Sequence, residues 1–165
     1  CEEEVLEGMC YQKLEIEEKV RRTEEMLKLM EIEHLRKANP YNLSGGEQQR
    51  LALAKVMVSN PDILLLDEPT KGLDPFFKQT LGRILRSLCK ENKTIFMVSH
   101  DIEFCAEFGD RCSMFFDGEI ATSGSAKEFF SGNNFYTTVE NKLTRKWCEG
   151  IITGEEARSW IRSLL

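Results

Sequence analysis

The order of apolar runs along this sequence predicts an α/β fold, with a parallel sheet core and a helical segment in front of it. Residues 63–66 and 94–99 are short apolar runs with the composition of buried strands. Helical patterns lie before, between and after them, and a third apolar run follows at 112–116. Strand, helix, strand, helix, strand is the rhythm of a parallel sheet with helical crossovers.

The first helices are indicated by apolar spacing and by caps. Residues 1–38 are polar and acidic with apolar side chains at helical spacing, which predicts a surface layer of helix. The turn sequence at 39–42 ends this layer. Ser44 then predicts an N-cap, and Glu47 completes a capping box for a helix that runs to Ser59.

The later elements are predicted from caps, from a proline in a first helical turn and from a Gly-containing turn pair. They are a helix from Asp74-Pro75 to about Glu91, a short helix at 101–108, a hairpin turn at Asp117-Gly118 leading into 119–122, a helix opened by the capping box of Ser125 and Glu128 and ending near 132, and one or two short helices within 139–165.

Composition and charge exclude several classes of protein. The 165 residues have the length of one domain, and the net charge of -6 argues against a nucleic-acid surface. No apolar run approaches the ~20 residues of a membrane span, and the acidic start is unlike a signal peptide. Because the sequence starts at Cys1 rather than Met, we expect it to be part of a longer chain. No C-x-x-C pair indicates zinc, and Cys89, Cys105 and Cys112 are expected to be buried, reduced thiols.

Residues 43–48, with the sequence LSGGEQ, form a glycine turn that opens a helix. Gly45 and Gly46 lack a Cβ, so the backbone can approach a phosphate closely. The helix directs its first N–H groups and its positive dipole end at the same point, and Ser44 adds a hydroxyl. The segment therefore predicts an anion site, and a plain capped helix is the alternative interpretation of the same residues.

Two carboxylates, Asp67 and Glu68, follow the first apolar strand. They would lie at the carboxyl end of that strand, where open α/β sheets bind ligands. One carboxylate there can hold Mg²⁺, usually through water, and the other can orient or deprotonate an attacking water. The alternative interpretation is a turn pair or helix cap.

Two further polar residues have both a structural and a functional interpretation. His100 follows the strand at 94–99 and can either donate a hydrogen bond to a terminal phosphate or have a structural role. Asp74 can cap its own helix or reach across a subunit interface.

These residues, in this order, resemble the nucleotide-binding domain of ABC-type ATPases over about residues 5–132. Residues 43–48 match the family signature, and residues 63–69 match the Walker B motif with its catalytic glutamate. Residues 72–74 match the D-loop, and His100 matches the switch histidine. The resemblance implies the P-loop NTPase fold of the ABC ATPases, with a helical signature subdomain.

The resemblance also implies ligands and roles for individual residues. Family members form dimers that hold two ATP molecules between the subunits, with Mg²⁺. The implied roles are metal support by Asp67, catalysis by Glu68 and His100, contact with the partner's ATP by Ser44, Gly45, Gly46 and Glu47, and coupling of the two sites by Asp74.

One part of the family pattern does not occur in this sequence. No stretch reads G-x-x-x-x-G-K-[ST], the phosphate-binding P-loop, and Lys93-Thr94 supplies only its last pair. The adenine-stacking aromatic and the Q-loop glutamine would also precede Cys1, so the chain alone is expected to be inactive. The sequence predicts the C-terminal part of an ABC domain, made of a helical arm with the signature helix at 1–59, the second half of the ATPase core at 60–132 and a tail at 133–165.

The subfamily is indicated by a second resemblance. The arm at 2–42 and the ending at 122–130 resemble the ATPases of energy-coupling-factor importers, which take up vitamins and metal ions. The segment 135–138 and the tail through Leu165 resemble fused two-ATPase versions of that group. This implies an ATP-hydrolysing subunit that powers uptake by ATP-driven dimer closure. Its partners would be a second ABC ATPase domain and a transmembrane transporter subunit, without nucleic acid. Its location would be cytoplasmic, peripheral on the inner face of the cell membrane.

Two other functions stay open. The first is a soluble ABC ATPase that acts on DNA or ribosomes, although this sequence has neither the long coiled-coil insertion of DNA-repair relatives nor the charged linker of ribosome-acting ones. The second is a non-catalytic signature half-site or regulatory module, which the missing P-loop motif supports.

Overall fold

A computed structural model describes residues 1–132 and 136–164, which fall into two units, Cys1–Val98 and Ser99–Leu165. The boundary between the units lies inside the segment 60–132, and the predicted tail belongs to the second unit. The three-part division predicted from the sequence stays a prediction about a complete domain. Phe135, used for the fused-ATPase resemblance, and Leu165, the end of the predicted tail, lie outside the described residues.

The first unit consists of helices and a two-stranded sheet. Its elements are α1 (Glu2–Glu7), α2 (Ile16–Leu29), α3 (Gly45–Met57), β1 (Ile63–Asp67), α4 (Pro75–Lys90) and β2 (Thr94–Val98), with 3₁₀ turns at Glu33–Leu35 and Pro40–Asn42. The predicted caps are confirmed, because the side chain of Ser44 accepts from the N–H of Glu47 at the start of α3, and the side chain of Asp74 accepts from the N–H of Phe77 at the start of α4.

The predicted helical layer at 1–38 consists of α1 and α2, separated by a non-helical connection, and a 3₁₀ turn. α1 is followed by Gly8, where a side chain would overlap the carbonyl oxygen of Lys55 in α3. The Nζ of Lys55 donates to the carboxylates of Glu4 and Glu7 at 2.7 and 2.6 Å. The arm is therefore joined to the signature helix by both close backbone packing and ion pairs.

The parallel sheet is confirmed, but its strands are not buried on both faces. β1 pairs with β2 in parallel, with Leu65 opposite Phe96. α4 packs against β2, and Leu64 is buried, whereas Leu65 and Phe96 are exposed. The prediction of buried strands was wrong for this second face, because none of the described residues covers it.

The second unit contains, among its described residues, α5 (Ile102–Phe108), β3 (Arg111–Phe116), β4 (Glu119–Ser125), α6 (Ala126–Gly132), α7 (Val139–Thr144) and α8 (Gly154–Ser163). β3 and β4 form an antiparallel hairpin, which turns at Asp117 and Gly118 with φ of 49° and 84°. The hairpin is confirmed, but the expectation that the third strand continues the parallel sheet was wrong. A two-residue turn gives antiparallel pairing, since parallel strands need a long crossover connection.

The tail packs within the second unit. Ile152 belongs to the same buried cluster as Ala126 and Phe130, and Nδ2 of Asn141 donates to the carbonyl oxygen of Phe130 at 2.6 Å. One or two short helices were predicted within 139–165, and the structure has two there, α7 and α8. In the described part of the chain, no helix has both the length and the apolar character needed to cross a membrane.

The cysteines are free thiols, but three of them are less buried than expected. Cys89, Cys105 and Cys112 are half-buried. Partial burial raises the pKa of the Cys112 thiol, which keeps this side chain in its neutral form.

Candidate functional site

A reciprocal capping box fixes the glycine turn at the start of α3. Oγ of Ser44 accepts from the N–H of Glu47 at 3.4 Å, and the Glu47 carboxylate accepts from the N–H and the hydroxyl of Ser44 at 2.8 and 2.7 Å. These two donors of Ser44 hold the pKa of Glu47 below its ordinary value. Glu47 thus stabilises the turn through its hydrogen bonds to Ser44. Its contact with ATP stays a prediction.

The two glycines of the turn have different surroundings. Nothing lies within 4 Å of a β-carbon built on Gly45, whereas a β-carbon on Gly46 would lie 2.8 Å from the carbonyl oxygen of Gly72. The first hydrogen bond of α3 runs from the N–H of Gln48 to the carbonyl oxygen of Ser44 and is 2.9 Å long. The N–H groups of Gly45 and Gly46 come before Gln48 in the helix. They lie at the positive end of the helix. This open turn with its directed N–H groups fits a phosphate group.

Asp67 and Glu68 lie at the carboxyl end of β1, as predicted. Asp67 is the last residue of the strand and is exposed. The N–H of Glu68 donates to the carbonyl oxygen of Val98 at 2.8 Å, and its φ is 46°. A non-glycine residue in this left-handed region carries backbone strain, and such strain clusters at functional sites.

The carboxylate at the end of β1 fits a magnesium ion that is bound together with a nucleotide. Among the described residues, no group of three or more His, Cys, Asp or Glu side chains is arranged to hold a metal. Mg²⁺ usually keeps several waters and uses one or two carboxylates together with substrate phosphates. The exposed carboxylate of Asp67 at the strand end can supply one such carboxylate ligand.

Asp74 is held from two directions. Its Oδ1 accepts from the N–H of Phe77 at 2.9 Å and caps α4, while its Oδ2 accepts from Arg50 at 2.6 Å. The Phe77 N–H, followed by Arg50, holds the pKa of Asp74 below its ordinary value. The helix cap, one of the two predicted interpretations, is thus confirmed, and the coupling role stays a prediction.

The signature turn and the D-loop lie together in the first unit. Gly46 approaches Gly72, and Arg50 pairs with Asp74. The sequence did not single out Arg50, because a charged residue within a helix is usually a solvated side chain. The available signal was its position four residues after Gly46, which places both on one face of α3.

His100 is described with the second unit and follows Ser99. The hydroxyl of Ser99 accepts from the N–H of Asp101 at 3.1 Å, and Asp101 caps α5 by accepting from the N–H of Phe104 at 3.1 Å. His100 is exposed at this strand-to-helix turn. Its predicted contact with a γ-phosphate stays a prediction.

Sequence comparisons show which known proteins this chain is similar to. The family model of the ABC transporter domain, ABC_tran, matches residues 2–71. A putative ABC transporter ATP-binding protein of Bacillus cereus is 49% identical over 133 residues, which are 81% of this chain and 24% of that protein. The chain therefore spans about a quarter of the length of this relative.

Solved structures show the same fold. The structure of cbiO1 from Clostridium perfringens, described as part of the ABC transporter complex cbiONQ, has a TM-score of 0.67 and 31% identity, covering 87% of this chain and 56% of that one. The ATP-binding cassette MJ0796, in a dimeric post-hydrolysis state bound to ADP and Pi, has a TM-score of 0.66 and 33% identity, covering 73% of this chain and 53% of that one. The chain has the fold of an ABC ATPase cassette, and its sequence is similar to the ATP-binding proteins of ABC transporters.

Proposed function

We propose that this chain is part of the ATP-binding and ATP-hydrolysing subunit of an ABC-type importer, which powers the uptake of a vitamin or a metal ion by ATP-driven dimer closure. The observation that carries the proposal is the packing of the glycine turn against the D-loop, beside a strained Glu68. A plain capped helix would need neither the backbone contact between Gly46 and Gly72 nor the positive φ of Glu68.

The strand-end carboxylates and the signature turn would act on two different nucleotides in a dimer. Bound ATP with Mg²⁺ supplies the bond that is cleaved and the ion that neutralises its charge. In the first unit Asp67 would support the ion, and Glu68 would orient and deprotonate the attacking water. For His100, in the second unit, the family resemblance implies a hydrogen bond to a terminal phosphate. The dimeric state of the MJ0796 cassette with ADP and Pi supports this arrangement.

The signature turn would act on the nucleotide that is bound by the partner subunit. Ser44, Gly45 and Gly46 offer a hydroxyl, open space and directed N–H groups to its phosphates. Because the sequence has no P-loop motif, a complete ATP site requires a P-loop from elsewhere in the protein or its partner. The signature turn would therefore respond to whether the neighbouring subunit has ATP bound.

Uptake and membrane attachment are supported by the resemblance to energy-coupling-factor ATPases and by the similarity to cbiO1 of a transporter complex. A transmembrane subunit would then hold the protein on the inner face of the cell membrane. We expect the full-length protein to sediment with membranes and to be released when its transmembrane partner is removed. Sedimentation with ribosomes or DNA instead would favour a soluble ABC ATPase.

The decisive experiment is the substitution Glu68→Gln in the full-length protein. We expect ATP to remain bound while kcat falls about 10²-fold or more, because a general base is lost. Glu91→Gln, at an exposed carboxylate after α4, is the matched control and should leave the rate unchanged. Turnover at the wild-type rate in Glu68→Gln would contradict the proposed role.

A further inference from the structure

We propose that Gln49 and Arg50 are positioning residues that fasten the signature turn to the D-loop, so that nucleotide binding at one site of the dimer is transmitted to the carboxylates of the other. This inference rests on the proposed function, because it assumes that two nucleotide sites exist. It assigns the transmission to two side chains of α3.

Arg50 is held on three sides. Its Nη2 donates to Oδ2 of Asp74 at 2.6 Å and its Nη1 donates to Oε2 of Glu31 at 3.3 Å. Its guanidinium carbon lies 3.8 Å from the ring centroid of Phe77, which is fully buried. The side chain of Arg50 is only 17% exposed. A planar guanidinium fixed by two carboxylates and a ring has little freedom to rotate.

Gln49 reaches the backbone beside the proposed catalytic carboxylate. Its Nε2 donates to the carbonyl oxygen of Pro69 at 3.3 Å. Pro69 is buried and follows Glu68 directly, at the point where the backbone is strained. A displacement of α3 would therefore act on the peptide that orients Glu68.

These two contacts and the Gly46 approach form one face of α3. Gly46, Gln49 and Arg50 have the spacing i, i+3 and i+4, so they lie together on the helix. Each meets a different point of the segment 69–74. Three separate contacts make the first turns of α3 and this segment move as one body, which is the physical link that coupling between sites requires.

The ion pair has a geometric role beyond its contribution to stability. Asp74 is 52% exposed and already caps α4 through the N–H of Phe77, and exposed ion pairs add little to the free energy of unfolding. Arg50 instead fixes the position of the signature helix relative to the start of α4. Substituting it should consequently affect communication between sites more than folding.

The test measures ATPase rate against ATP concentration in the full-length protein, for wild type, Arg50→Met and Gln49→Leu. We expect wild type to be cooperative, with a Hill coefficient above 1 and no greater than about 2, since two sites set the upper limit. Both variants should lower the coefficient to about 1, and Arg50→Met should lower kcat about 5-fold or more. Arg50→Lys, which keeps the charge beside Asp74, should restore part of the cooperativity.

Lys55→Met is the matched control. Lys55 lies on the same helix and also bonds two carboxylates, but those belong to α1. We expect this variant to keep both the wild-type Hill coefficient and the wild-type kcat. Equal loss of cooperativity in Lys55→Met would show that any disturbance of α3 suffices, and would overturn the assignment to Gln49 and Arg50.

The outcomes separate this inference from the proposed function. An unchanged Hill coefficient in Gln49→Leu and Arg50→Met, in a protein where Glu68→Gln abolishes turnover, overturns the inference alone. A coefficient of 1 in wild type overturns it as well, because nothing is transmitted. If Arg50→Met fails to fold, Gln49→Leu decides, since it removes a single neutral hydrogen bond. Normal turnover in Glu68→Gln overturns the proposed function instead.

Discussion

Leu65 of β1 and Phe96 of β2 are register partners in the parallel sheet, and their side chains are 72% and 64% exposed. Ile63 and Val98 lie on the same face and are exposed too. One face of the sheet is thus an apolar surface open to water, while the alternate positions are covered. The matched cassette structures are about twice as long as the part of them that this chain covers.

This exposed sheet face predicts self-association of the 165-residue chain. Contiguous exposed apolar patches and open sheet edges favour contact with another surface. We expect the double variant Leu65→Thr with Phe96→Thr to increase the monomer fraction in light scattering without lowering Tm, because threonine keeps a strand preference.

Leu64→Ala is the control on the covered face. Leu64 is buried, and its truncation should cost about 2–5 kcal/mol of the free energy of unfolding without increasing the monomer fraction. A wild-type chain that stays monomeric at high concentration would contradict the prediction.

The two glycines of the signature turn predict opposite effects of the same substitution. Gly46→Ala places a methyl group 2.8 Å from the Gly72 carbonyl oxygen, so the D-loop must shift and Tm should fall. Gly45→Ala meets open space in a helical position and should raise stability by about 0.4–1 kcal/mol through the unfolded state. It should nevertheless weaken ATP-dependent dimerisation, because the methyl group limits phosphate approach. Equal melting temperatures of the two variants would contradict this reading.

A bulky side chain in the turn should prevent closure of the dimer. Ser44→Arg adds bulk and a long side chain where a phosphate is expected, and it also removes the cap of α3. In a Glu68→Gln background, we expect ATP-dependent dimerisation, measured by size-exclusion chromatography with light scattering, to be lost. Ser44→Ala separates the two effects, since it costs about 1 kcal/mol of cap energy without filling the site. Dimerisation of Ser44→Arg at the wild-type ATP concentration would count against the site.

Caps and turns could be predicted from the sequence because they depend on a few neighbouring residues. Ser44 with Glu47 and Asp74 with Pro75 lie within four positions of the backbone groups they serve. The hairpin at Asp117-Gly118 is equally local, since both residues must adopt positive φ. These elements were confirmed.

Long-range features could not be predicted in the same way. An all-apolar run such as 63–66 indicates a strand covered on both faces, but composition does not reveal whether the covering segment belongs to the same chain. The contact between Arg50 and Asp74 joins residues 24 positions apart, and no local pattern marks it. The sequence therefore predicted the ends of the elements and the motif residues, but not the contacts that connect them.

The pKa of Asp74 provides a direct measure of the contact with Arg50. Because its pKa in the folded chain is held below the unfolded value, the charged form of Asp74 stabilises the fold above the unfolded pKa. This contribution is lost as the pH falls through the lower, folded pKa. In an NMR titration of the Asp74 carboxyl carbon, we expect Arg50→Met to raise the pKa while leaving it below the ordinary value, since the Phe77 N–H still donates.

Asp74→Asn tests the sign of this effect through stability. Asparagine also caps helices, so the variant removes the charge and keeps the cap. Its Tm should lie below that of wild type at neutral pH. The difference should begin to shrink below pH ~4, where the unfolded carboxyl takes up its proton, and should disappear through the lower folded pKa. In an Arg50→Met background, Asp74→Asn should lower Tm by a smaller amount at neutral pH, because one of the two groups that favour the charged form of Asp74 is absent. A difference that grows on acidification would mean that the carboxylate is destabilising in the fold, contrary to its contacts with Phe77 and Arg50.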